Sequence, residues 1–164
     1  MFKRGAEWRR WDLHVHTKGT NKNDQFNSVD FDSYCKILFK SALNNNIYSI
    51  GITDYYSIEN YRKVVDYRKQ LKADDYFSEE DIIRINQIFL LPNVELRMLP
   101  VTKSDRLVNI HCLFNPNYID SLENDFFTSI SFDSHKMNKK GLIDLGKKLH
   151  NESDDIKAYK DGIN

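Results

Sequence analysis

The chain reads as an α/β protein, parallel strands with surrounding helices, and three observations predict that class. Short apolar runs alternate with longer segments of helical periodicity. The strand-like runs lie at 11–16, 47–53, near Val94 to Leu99 and at Leu107 to Phe114, each bounded by polar stretches. Titratable residues recur at or near the ends of these runs, the place where parallel strands converge on one rim and sites form.

Residues 11–16 read Trp-Asp-Leu-His-Val-His. With period-two alternation, Trp11, Leu13 and Val15 are expected on one face and Asp12, His14 and His16 on the other. Residues 32–45 predict a helix, with Tyr34, Ile37, Leu38 and Ala42 at helical spacing and Asp30 or Asp32 as N-cap. The run Ile-Tyr-Ser-Ile-Gly-Ile-Thr at 47–53 suits a buried strand that Asp54 closes. Ser57 is the expected N-cap of a helix over 58–71, whose apolar stripe is Tyr61, Val64, Val65 and Leu71. Residues 72–81 are charged and read as a surface loop. Within them Ser78-Glu79-Glu80-Asp81 resembles a capping box that opens a helix to about Ile88. In the fourth strand Val108, Ile110, Cys112 and Phe114 share one face, and Asn109 and His111 the other. Asn115-Pro116 marks a helix start, and from Gly141 onward the chain reads as polar helix ending in a charged tail.

The 164 residues fit one domain, and 40% hydrophobic and 13% aromatic content are enough to build a core. Lys plus Arg (24) balance Asp plus Glu (24), so coating of nucleic acid or an anionic membrane through bulk charge is excluded. A local basic groove stays open. Lys3, Arg4, Arg9 and Arg10 with Trp8 and Trp11 form a basic–aromatic stretch, expected to pack as an N-terminal arm beneath the sheet rather than to contact nucleic acid. Cys35 and Cys112 stand far apart in apolar stretches and predict buried thiols, neither a zinc finger nor a disulfide. Met1-Phe2-Lys3-Arg4-Gly5 lacks an apolar signal region and no stretch reaches the length of a membrane span, so a reduced, cytoplasmic protein without a membrane partner is expected.

Two histidines at i and i+2 on a strand point the same way, so His14 and His16 can share one ion. A carboxylate on a neighbouring strand, Glu95, can bridge it to a second. Imidazole plus carboxylate suits zinc, manganese or iron. Taken singly, each residue has a plainer reading. Histidine pairs on strands are more often structural, His111 alone reads as a hydrogen-bonded core residue, and Asp54 can simply cap the next turn. Their order along the chain favours a site.

That order resembles the PHP (polymerase and histidinol phosphatase) family. Trp-Asp-Leu-His-Val-His is similar to its first motif, Gly-Ile-Thr-Asp-Tyr-Tyr-Ser at 51–57 to its second, Leu-Pro-Asn-Val-Glu-Leu-Arg at 91–97 to the segment carrying its bridging glutamate, and Asn-Ile-His-Cys-Leu-Phe at 109–114 to its third histidine motif. The nearest likeness is to PHP domains at the N-terminus of proteins that also carry an SMC- or AAA-like ATPase. The resemblance implies the N-terminal part of a distorted (β/α)7 barrel covering 1–164, with the C-terminal motifs absent. It implies a metal-dependent phosphoesterase acting on nucleic acid (DNA or RNA) or nucleotide. His14 and His16 would hold the first of two ions, Glu95 would bridge, and His111 would hold the second. Asp54 would act beside Glu95 in catalysis as a ligand or an orienting partner. One ion would acidify a water and both would neutralise phosphoryl oxygens.

Tyr55 stands where many members have a histidine, and Lys22 follows His16 by six residues where another histidine often lies. Both positions would serve a third ion, so two are expected. His135 and His150 lack the surroundings of the later motifs and are expected in solvent. Arg97 can clamp a phosphate or sit in a salt bridge, and Tyr55 can stack on a base or pack at the rim. A half barrel leaves two sheet edges open, so an ATPase domain, a partner chain or an oligomer is expected to cover them. Two other functions fit: a catalytically degenerate scaffold or sensor that binds a partner ATPase, and a small-molecule phosphatase.

Overall fold

Four strands form one curled sheet in the order β1–β2–β3–β4: β1 (Arg10–His16), β2 (Ile47–Tyr55), β3 (Phe89–Met98) and β4 (Val108–Leu113). This is a computed structural model, and it describes residues 7–163 apart from 23, 27, 99–100, 102 and 105–106. Helix α1 (Phe31–Asn44) joins β1 to β2, and α2 (Glu59–Gln70) and α3 (Glu79–Gln87) join β2 to β3. The caps follow local chemistry. Asp30 accepts from the Ser33 amide at 2.8 Å, and Ser78 and Asp81 form a reciprocal capping box. At α2 the cap position is Ile58, while Ser57 still accepts from the Glu59 amide at 3.1 Å.

β1, β2 and β3 run parallel, as expected, but β4 runs antiparallel to β3. The fully parallel reading fails there for a simple reason. Only residues 99–107 separate β3 from β4, and a parallel crossover needs about a dozen residues or more, usually a helix. β3 also starts at Phe89, ahead of the expected segment, because Leu90 is buried against the helices and extends the apolar face backward.

A second correction concerns β1. Its register shifts between Asp12 and Val15, and Arg10, Asp12 and Val15 line one groove with Tyr34 and Leu38 of α1. The bulge therefore takes Asp12 away from the face that His14 and His16 share. Gly51 on β2 makes room for it: a Cβ at Gly51 would strike the Leu13 carbonyl. Asn93 then donates to that same carbonyl at 2.8 Å, so the displaced peptide is not left unpaired.

The convex face of the sheet carries the core. Ile50, Ile52 and Leu90 pack with Tyr34, Phe39, Val64, Phe77 and Ile85 under α1, α2 and α3. Each fully buried phenylalanine here contributes about 1.5–3 kcal/mol of transfer free energy. Phe77 has no exposure, so the charged loop before α3 is pinned by an apolar anchor inside a polar surface. A second cluster, Val94, Leu96, Leu122, Phe127, Leu142, Leu145 and Ile163, lies under the C-terminal segment. That segment comprises a 3₁₀ turn (Pro116–Tyr118), a π turn (Leu122–Phe126), a short α4 (Phe127–Ser129), a hairpin of β5 (Ser131–Phe132) and β6 (His135–Lys136), then α5 (Lys139–His150) and α6 (Asp155–Ile163). The expected single polar helix is thus two helices in backbone contact, with Gly146 against the Ala158 carbonyl.

The described part of the N-terminal arm packs only in part: Arg9 lies over the Tyr48 ring at 4.4 Å and Arg10 donates to the Asn45 carbonyl at 3.2 Å, whereas the tryptophans do not pack. Trp8 is fully exposed and Trp11 is 62% exposed; Lys3 and Arg4 lie outside the described residues. Cys35 is buried, with its thiol pushed up to about 12 by burial, and Cys112 is half-buried. Among the described residues no helix is long and apolar enough to cross a membrane.

Candidate metal centre

The concave face of the sheet brings one residue set together. β1 supplies His14 and His16 just beyond the bulge. β2 supplies Thr53 and Tyr55, β3 supplies Asn93, Glu95 and Arg97, and β4 supplies Asn109 and His111. The register explains the convergence: Tyr55 pairs with Glu95, and Glu95 with His111. Although β4 runs the other way from the expected direction, it still sets His111 directly across from Glu95.

His14 Nε2 and His16 Nε2 are 3.1 Å apart, and they lie 3.5 Å and 3.1 Å from Glu95 Oε2. Donor atoms bound tetrahedrally at about 2.0–2.1 Å from an ion stand about 3.3 Å from one another. The triangle of three donors has that size. Among the described residues this is the one group of His, Cys, Asp or Glu donors arranged to hold a metal ion.

Glu95 is 1% exposed. Asn109 donates to its Oε1 at 2.6 Å, leaving Oε2 buried without a hydrogen bond and facing the two imidazoles. A buried carboxylate oxygen without a donor is costly, and a cation at the triangle would satisfy it. Burial raises the Glu95 pKa, but contact with His16, Tyr55 and His111 outweighs it and holds the group below its usual value. Burial and the Glu95 charge push the Tyr55 phenol up to about 12, and its ring stacks on His16 at 5.3 Å. Burial and the neighbouring Arg97 charge lower the Lys22 ammonium, while Glu95 opposes them. Lys22 thus lies within electrostatic reach of both Arg97 and Glu95.

His111 stands beside this triangle and outside it. Its ring centroid is 4.1 Å from that of His14, and its Nδ1 meets Asn93 Nδ2 at 3.1 Å. Burial and the two other imidazoles lower its pKa.

Asp54 points elsewhere. Alternation along β2 turns it to the helix-covered face, opposite Tyr55. There its Oδ1 accepts from Thr20 Oγ1 (2.8 Å), the Asn21 amide (3.3 Å) and the Tyr55 amide (3.0 Å), and its Oδ2 from Asn60 Nδ2 (2.8 Å). Burial raises its pKa to about 6 against the pull of those donors. It ties the loop after β1 to β2 and α2. Asn21 extends the tie to the hydroxyl of Tyr159 on α6 at 3.2 Å. His135 and His150 lie far along the chain on the hairpin and at the end of α5, His150 exposed and His135 partly so.

Two asparagines were not singled out as site residues in the sequence. Asn109 shares a strand face with His111, a signal legible from alternation. Asn93 precedes Glu95 by two residues on one face, but its three partners come from three other strands, which no local pattern shows.

Set against known proteins, the chain matches no protein-family model, and no curated protein and no solved structure is significantly similar to it.

Proposed function

We propose that the chain is a metal-binding hydrolytic domain of the PHP type, acting on phosphoesters of nucleic acid or nucleotide. The observation that carries this is the His14–His16–Glu95 triangle, sized for one divalent ion, with a carboxylate oxygen that lacks a hydrogen bond at one corner. Two imidazoles and one carboxylate are a donor set of catalytic kind, since three protein ligands leave a further position for water or substrate. When bound, the ion supplies Lewis acidity and an acidified water. Arg97 and Lys22 supply positive charge beside the triangle, suited to phosphoryl oxygens. Asn109 holds Glu95 in place, and Tyr55 covers His16. The second ion implied by the sequence resemblance has no comparable donor group among the described residues. The (β/α)7 barrel is the architecture this reading extends to, with further strands supplied by another segment or chain.

The test is elemental analysis of metal on protein purified without chelator, with hydrolysis of bis(p-nitrophenyl) phosphate measured alongside. We expect near-stoichiometric zinc, manganese or iron, lost in the His14→Ala/His16→Ala double variant, and hydrolysis lost in Glu95→Gln. Metal retained at full occupancy in the double variant would sink the proposed centre. Bound metal without hydrolysis would favour a scaffold that binds a partner ATPase. One observation supports that second reading: Trp11, Phe89 and Leu113 leave apolar surface exposed on a sheet whose β1 and β4 have no strand on their outer edges among the described residues.

A further inference from the structure

We infer that Asn93 is a positioning residue that fixes His111 as an Nε2–H donor, so that His111 gives a hydrogen bond to an oxyanion at the site instead of ligating an ion. The inference rests on the proposed metal centre only for the identity of what His111 faces; the tautomer rests on the hydrogen bonds alone.

The argument begins at the Leu13 carbonyl, which can only accept. Asn93 Nδ2 meets it at 2.8 Å, so the amide must present its NH2 there; the reversed amide would press oxygen on oxygen. The same nitrogen meets Thr53 Oγ1 at 2.9 Å, and Thr53 sends its own proton to the Gly51 carbonyl at 3.2 Å, so Thr53 accepts too. Both contacts orient the amide alike, and its Oδ1 is turned away, buried and without a partner. The amide nitrogen has two hydrogens for three acceptors, so the one not given to Leu13 is shared between Thr53 Oγ1 and His111 Nδ1, which stands 3.1 Å away. An amide nitrogen does not accept, so a proton on Nδ1 would point at another donor. Nδ1 must carry the lone pair, and in the neutral ring Nε2 then carries the proton.

A neutral histidine binds a metal through an unprotonated nitrogen. With Nδ1 taken by Asn93, His111 has no lone pair left for a second ion. It has an N–H on a ring packed 4.1 Å from that of His14 and across the sheet from Glu95. An oxygen held at the triangle, from water or from a phosphoryl group, is the acceptor that this N–H suits. Arg97 lies two residues beyond Glu95 and adds a second donor on the same face.

The experiment is long-range ¹H–¹⁵N correlation of the imidazoles in metal-free protein, with the His111 signals assigned by their loss in His111→Gln. We expect a protonated Nε2 and an unprotonated Nδ1 in the wild type, and a mixture of tautomers in Asn93→Ala. A protonated Nδ1 in the wild type would overturn the inference, as would an unchanged signal in a folded Asn93→Ala variant. Should Asn93→Ala not fold, the wild-type spectrum and the metal count of His111→Ala decide. That variant is expected to keep its ion with affinity within about tenfold of wild type, the smaller end of the loss seen when a supporting group is removed. Loss of one equivalent of metal in His111→Ala would make it a ligand and overturn the proposal. A wild type that binds no metal would remove the centre itself and leave the tautomer to be read from the same spectra.

Discussion

At Glu95 a carboxylate sits 1% exposed, with one oxygen held by Asn109 and the other facing two imidazole nitrogens. Asp54 shows the contrast: equally buried, it is surrounded by four donors. Two buried carboxylates on neighbouring strands thus have different chemistry, one with an oxygen that lacks a hydrogen bond and the other fully hydrogen-bonded. Truncating Asp54 leaves Thr20 and Asn60 donors unpaired, so Asp54→Ala should cost about 3 kcal/mol of stability, read from denaturant midpoints. Its acidity also makes a signed prediction. Because the native pKa is raised to about 6, the native state binds this proton more tightly than the unfolded chain does. The Asp54 contribution then favours the fold fully below about pH 4, the unfolded value, and is lost as pH rises through about 6. Asp54→Asn should flatten that part of the stability profile. A variant with the wild-type slope between pH 4 and 6.5 would assign the slope to other groups.

The bulge in β1 is the element on which the site depends. A regular strand would keep Asp12, His14 and His16 on one face, as alternation predicts. The shift between Asp12 and Val15 breaks that pattern, sends Asp12 toward α1 and sets the two histidines against Glu95. Gly51 leaves space for the Leu13 carbonyl, and Asn93 satisfies it. Adding one methyl at Gly51 pushes on main chain rather than on a side chain that can swing away. Gly51→Ala should therefore cost about 3 kcal/mol and weaken metal binding at the same time. Paired measurement of thermal midpoint and metal titration checks both. If stability falls and metal affinity does not, the bulge is not what aims the histidines.

Across the whole molecule the two faces of the sheet are unequal. The convex face is covered over most of its width by α1, α2, α3 and the C-terminal helices, with two packed clusters. The concave face holds the site at one end and exposes Trp11 (62%) and Phe89 (54%) toward the other. The chain alone should show tryptophan emission typical of water-exposed indole and readily quenched by acrylamide. Mixing with a protein that completes the sheet should shift that emission to the blue, whereas blue-shifted, quench-resistant emission from the chain alone would mean the face is already covered.

Features that depend on local spacing are legible along the chain. Helices α1 and α3 were legible from Asp30, Ser78 and Asp81 because a cap needs only the next turn. The faces of β4 were legible because alternation needs only the strand. His14, His16, Glu95 and His111 were picked out by residue type and order. Tertiary structure decided the rest. The direction of β4 depends on how far a short connection can reach. The place of Asp12 depends on a bulge made possible by a glycine and an asparagine on other strands. The separation of Asp54 from the histidines depends on which face α2 covers. The bracing role of Asn93 depends on three strands meeting at one amide. Each is a relation between residues distant in the chain, and hydrogen-bond direction and steric exclusion act only after the fold has brought them together.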